Sequence, residues 1–83
     1  GVPQAELPKS DLDSGLDMIA SLSAKTEFLN SNGEARRALK ENSVSVNKEK
    51  VKEDYTISSD DLINGTYVIL NKGKRNTYII KFV

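Results

Sequence analysis

The chain has 83 residues, and its 12 Lys plus Arg balance 12 Asp plus Glu to a formal net charge of zero. Leu, Ile, Val and Phe supply 22 residues, roughly a quarter of the chain and above the level of about a fifth at which disorder becomes the expectation, so one small domain with a thin core is expected. There is neither Cys nor His, which excludes disulfides, thiol chemistry, Cys-based zinc and a histidine general base, and no apolar run approaches the ~18 residues of a membrane span.

Residues 1–9 read as a linker, because Pro3 and Pro8 disfavour a helix and little else there can pack. Domain structure is expected over residues 10–83. Ser10 with Asp13 resembles a helix start. Leu12, Leu16, Ile19 and Ala20 follow as one apolar stripe, which predicts a first helix over roughly Asp11–Lys25. Ser31-Asn32-Gly33-Glu34 is a capping box, and Ala35, Ala38 and Leu39 form the inward stripe of a second helix. Asn42 suits the left-handed residue that closes it.

Beyond Asn42 the period changes from helical to two. Val44 and Val46 alternate with Ser43, Ser45 and Asn47, as in a half-buried strand. Asn47 to Lys50 is a tight polar connection. Asp60 to Ile63 suits one helical turn, and Asn64-Gly65 is a turn signal. Thr66–Leu70 and Thr77–Phe82 are rich in β-branched and aromatic residues and predict two strands, joined by a basic loop over Asn71–Asn76. The expected class is α+β, with two N-terminal helices packed on a small, mainly antiparallel sheet of four to five short strands.

The zero net charge conceals an asymmetry. Residues 1–34 carry six acids and two bases, whereas residues 35–83 carry ten bases and six acids. Such segregation points to a polyanionic partner. Three groups of cations are candidates. Arg36, Arg37 and Lys40 lie on the outer side of the second helix, where guanidinium forks suit phosphate. Lys48 and Lys50, with Asn47, occupy a short loop able to bond phosphates or a 2′-hydroxyl. Lys72, Lys74 and Arg75 flank Gly73 at a hairpin tip. Each also has a plain structural reading, as a solvated helix face, a β-turn and a solubilising loop. The acid pairs Asp11/Asp13, Glu53/Asp54 and Asp60/Asp61 have no His, Cys or calcium-loop glycine beside them and read as caps and solvated charge. Tyr55, Tyr67 and Tyr78 read as packing residues. No nucleophile is paired with a base, so no catalytic residue is assigned.

Ser31-Asn32-Gly33-Glu34-Ala35-Arg36-Arg37-Ala38-Leu39 followed by Val44-Ser45-Val46-Asn47 resembles the alpha-L RNA-binding motif. Tyr67-Val68-Ile69-Leu70-Asn71-Lys72-Gly73-Lys74-Arg75-Asn76-Thr77-Tyr78-Ile79-Ile80 resembles the final hairpin of bacterial tyrosyl-tRNA synthetases. The chain departs from the pattern in two places: Asn42-Ser43 replaces a Gly-Gly turn, and Asn71 stands where Arg is frequent. The resemblance implies the C-terminal tRNA-binding domain of such a synthetase, cytoplasmic and without a membrane partner. It implies binding of tyrosine tRNA, through its long variable arm, by Ser31, Arg36, Arg37, Lys40, Asn47, Lys48, Lys50, Lys72, Lys74 and Arg75. It further implies that the isolated domain is a monomer and the full-length enzyme a homodimer. Catalysis, with ATP and magnesium, would belong to a separate catalytic domain, and this domain would hold no cofactor. Two other readings remain: a ribosomal-RNA-binding module of the same motif family, and a protein-docking appendage.

Overall fold

In the computed structural model, which describes residues 2–83, the chain forms seven strands and one α-helix. The strands are β1 (Gln4–Leu7), β2 (Leu16–Asp17), β3 (Val44–Val46), β4 (Glu49–Lys50), β5 (Thr56–Ile57), β6 (Tyr67–Lys72) and β7 (Asn76–Phe82), and the helix is α1 (Asn32–Lys40). Five strands form one sheet in the order β1-β7-β6-β3-β4. Only the β1–β7 pair is parallel. β2 and β5 form a separate antiparallel pair. The α+β class with a mainly antiparallel sheet is as expected.

The sheet follows from alternation. Along β7, Tyr78, Ile80 and Phe82 are buried while Thr77, Ile79 and Lys81 point to the other face. Val68 pairs with Ile80 and Leu70 with Tyr78, so the two strands turn the same face inward. Val44 and Val46 extend that face across β3. Ala35, Ala38 and Leu39 of α1 join these residues in a single core.

Both ends of α1 form as the sequence predicts, with one change of partner. Ser31 Oγ accepts the Glu34 N–H at 3.1 Å. Glu34 Oε2 reaches the Asn30 N–H, at 2.9 Å, one residue earlier than a strict capping box. At the other end Asn42 adopts a φ of 57°. The Asn42 N–H donates to Leu39 O and the Ser43 N–H to Ala38 O, each at 3.1 Å, which closes the helix in a Schellman motif.

Three expectations are corrected. The stretch expected as linker contains β1, whose residues Gln4 to Leu7 pair in register with Ile79 to Phe82. The first helix, expected over Asp11–Lys25, is not continuous. A 3₁₀ turn at Lys9–Leu12 ends before Gly15, whose φ of +87° lies in the left-handed region. A Cβ at Gly15 would also run into Thr56 Cγ2, so strand β2 can close on β5 there. Asp17 Oδ1 then accepts the Ala20 N–H at 2.7 Å and starts a short π-helical segment, Ala20–Ala24. Leu12, Leu16 and Leu22 are buried all the same. The third correction concerns the basic loop: Asn71, Lys72 and Asn76 belong to the strands, which leaves a tip of only Gly73, Lys74 and Arg75.

Candidate RNA interface

The cations converge where α1 ends. Its last turn carries Arg37 and Lys40, with Arg36 beside them, all exposed. Cations there are favoured by the negative end of the helix dipole. The chain then turns through Asn42 into β3. Lys50 Nζ donates to Asn42 O at 2.9 Å. The Gly73 N–H donates to Ser43 O at 2.7 Å, and Lys72 pairs with Val44. Asn42 to Val44 is thus the junction that brings the helix end, Lys50 and the hairpin tip with Lys74 and Arg75 to one end of the sheet. Gly73 makes the tip possible with a φ of 68°.

Among the described residues, the only ion pair is Lys25–Asp11 at 3.1 Å. No carboxylate lies within 4.0 Å of Arg36, Arg37, Lys40, Lys48, Lys50, Lys72, Lys74 or Arg75. The uncompensated charge therefore lies on the half of the molecule that is richest in bases.

Three of the sequence-derived candidates stand apart. Asn47 has its side-chain amide committed within the fold: Nδ2 donates to Asp61 O at 2.7 Å and Oδ1 accepts the Ile69 N–H at 2.9 Å. It braces the β3–β4 turn, where Asn47 and Lys48 have φ of 50° and 76°. Lys48 is exposed but sits at the far end of β3 from the junction. Ser31 is the helix cap, with its oxygen already accepting a backbone N–H.

Two features escaped the sequence reading. Phe28 stacks on Tyr78, with ring centroids 5.0 Å apart and planes 20° from parallel. The pair lines an open cleft of about 410 Å³ together with Lys72, Arg75, Glu27 and Glu34. On the other side, Tyr55 Oη donates to Asp61 Oδ1 at 2.6 Å. That hydrogen bond, with burial and the nearby charges of Asp61, Glu49 and Asp60, pushes the Tyr55 phenol up to about 12. Asp61 also caps Ser58, whose N–H donates to Oδ2 at 3.0 Å. Asp61 is therefore a cap, as read from the sequence.

The chain is thus a small α+β domain with basic side chains unpaired at one end of its sheet, and sequence comparison places it in a family. Residues 1–80 match the family model described as tyrosine–tRNA ligase SYY-like C-terminal domain. The chain belongs to this family of tyrosine–tRNA ligase C-terminal domains. It is 55% identical to a tyrosine–tRNA ligase of Flavobacterium johnsoniae over all 83 residues, and 50% identical to that of Flavobacterium psychrophilum over 80 residues, or 96% of the chain. It is 37% identical to the Porphyromonas gingivalis ligase over 81 residues, again 96% of the chain. In each case it spans 19% of the relative's length, about a fifth of those proteins.

Proposed function

We propose that this domain is the tRNA-docking appendage of a tyrosine–tRNA ligase. It would hold tyrosine tRNA, through the long variable arm, on the basic end of the sheet while the rest of the enzyme carries out aminoacylation. The observation that supports this most directly is the set of exposed cations around Asn42–Val44 without carboxylate partners, in a chain of this family. Arg36, Arg37 and Lys40 contact phosphates from the helix; Lys50, Lys72, Lys74 and Arg75 contact them from the sheet. A-form RNA hides its base edges in a deep groove, so shape and backbone contacts dominate. The helix, the β3–β4 turn and the final hairpin together act as an alpha-L RNA-binding unit. In this reading ATP and magnesium belong to the catalytic part, the full-length enzyme is a cytoplasmic homodimer, and the isolated domain is a monomer.

The test is a titration of the labelled domain with tyrosine tRNA, with and without its variable arm, across a salt series. If about four phosphates are neutralised, the logarithm of affinity falls against the logarithm of salt with a slope near −3 to −4. Replacing Arg36 and Arg37 together by Glu should abolish binding and leave the fold intact, since both side chains are exposed. Equal affinity for tRNA lacking the arm, or for ribosomal RNA fragments, would make the domain a general RNA binder. No binding at low salt would leave protein docking as its role.

A further inference from the structure

We infer that the cleft between the Glu27–Phe28 segment and the start of β7 is a binding site for a single unstacked guanine nucleotide of the bound RNA. The inference rests on the RNA-docking reading and adds a base-reading site to it. The cleft has three parts of different chemistry. Its floor is aromatic: Tyr78 is only 5% exposed, and the half-buried Phe28 stacked on it provides the accessible ring surface. Lys72 lies on the same sheet face as Tyr78, two residue pairs along the ladder, and Arg75 follows at the hairpin tip. The third part is acidic: Glu27 and Glu34 line the same cleft. Glu34 is held by the Asn30 N–H at 2.9 Å. The Glu27 main-chain N–H reaches Tyr78 Oη at 3.5 Å, whereas its carboxylate has no hydrogen-bond or ion-pair partner among the described residues.

This mixture selects the ligand. A track for continuous phosphate backbone gains nothing from carboxylates, because they repel it. A nucleotide differs, being anionic at one end and, at its base edge, able to donate. Guanine presents two adjacent donors, N1–H and the N2 amine, which match the two oxygens of a carboxylate. Unpaired bases in RNA are recognised in this manner, by stacking on an aromatic ring and hydrogen bonding along the Watson–Crick edge. The cleft volume of about 410 Å³ lies in the ~300–1,000 Å³ range of small-molecule sites. In this arrangement Phe28 stacks the base, Glu27 accepts from its edge, and Lys72 with Arg75 holds the phosphate.

The experiment measures binding of the 83-residue domain to two single-stranded RNA hexamers, UUGUUU and UUAUUU, by fluorescence anisotropy, with nuclear magnetic resonance of Phe28 and Glu27. The guanine hexamer should bind about ten-fold tighter than the adenine hexamer. Glu27→Gln should erase that preference by weakening only the guanine hexamer. The opposite sign overturns the inference: if Glu27 is merely a repelling charge, Glu27→Gln tightens both hexamers equally. Phe28→Leu should weaken both by about five-fold or more, and Phe28→Tyr should restore them. Glu27 is exposed, so its variant reports even where Phe28→Leu loosens the fold. If tRNA binds and neither variant alters hexamer recognition, the cleft falls and the docking role stands. If neither tRNA nor hexamer binds, both fall.

Discussion

Residues 2–30 and residues 31–83 reach the same core by different means. The second region contains α1 and the four antiparallel strands of the main sheet, of which β3–β4 and β6–β7 are joined by tight turns at Asn47-Lys48 and Gly73-Lys74-Arg75 and β7 alternates regularly. The first has a parallel edge strand, a 3₁₀ turn, a two-residue strand and a π-helical segment. Its order is borrowed: β1 is held by β7 and β2 by β5. The division matches that of charge, since the borrowed region is acidic and the self-ordered one basic. A surface that must present fixed cations to a partner is better carried by the region with its own hydrogen-bond ladder, because less is left to order on binding.

The sharpest way to break this comparison is to remove the side chain on which both regions lean. Phe82 is 1% exposed and pairs with Leu7 of β1. Phe82→Ala should cost about 3–5 kcal/mol, a large part of the roughly 4–12 kcal/mol expected for a domain of this size. Urea unfolding would measure it. Amide exchange should show β1 released ahead of β6, and simultaneous release would deny that β1 is the dependent partner.

A smaller effect tests the first region by itself. Gly15→Ala adds a methyl group at a φ of +87° and against Thr56 Cγ2, and should cost about 2 kcal/mol or more. Adding Thr56→Ser removes the obstructing methyl and should recover part of the loss, leaving the backbone strain. The coupling between the two changes, read from thermal or urea unfolding of both single variants and the double, measures the contact. Independent, additive costs would mean that β2 and β5 do not meet as closely as described.

Legibility from sequence divides along the same line. Helix α1 and the final hairpin were readable because their signals are local: a capping Ser, an apolar stripe, an Asn able to take positive φ, and period-two strands around a glycine. The first helix was misread for a physical reason. Leu12, Leu16 and Leu22 satisfy helical spacing, and all three are buried, but a broken path can bury the same residues. What decided it was Thr56, far along the chain, packed against Gly15. β1 was illegible because a strand between two prolines draws its hydrogen bonds from β7. Of the candidate site, the exposed cations were legible as charge, since charge segregation survives without structure. The bracing role of Asn47 was not legible because its amide partners, Asp61 and Ile69, are not sequence neighbours. The Phe28–Tyr78 stack was missed because its members lie in opposite halves of the chain.

The smallest effect concerns a contact wholly inside the second region and is read as a pH dependence. Tyr55 Oη donates to Asp61 Oδ1, and Asp61 also holds the Ser58 turn. The phenol is raised from 10.0 to about 12, chiefly by that hydrogen bond. A raised phenol means that the folded state favours the protonated form. The stabilisation is therefore complete below pH 10 and is lost as pH rises from about 10 to 12, where the unfolded chain gives up its proton first. Tyr55→Phe has no proton to lose. Wild-type stability should fall relative to the variant across that window, and one of the three tyrosines should ionise late when phenolate absorbance is followed. Parallel stability curves for the two proteins above pH 10 would mean that Asp61 orders its turn without help from the phenol. The regular half would then rest at this point on Asp61 and the Ser58 backbone alone.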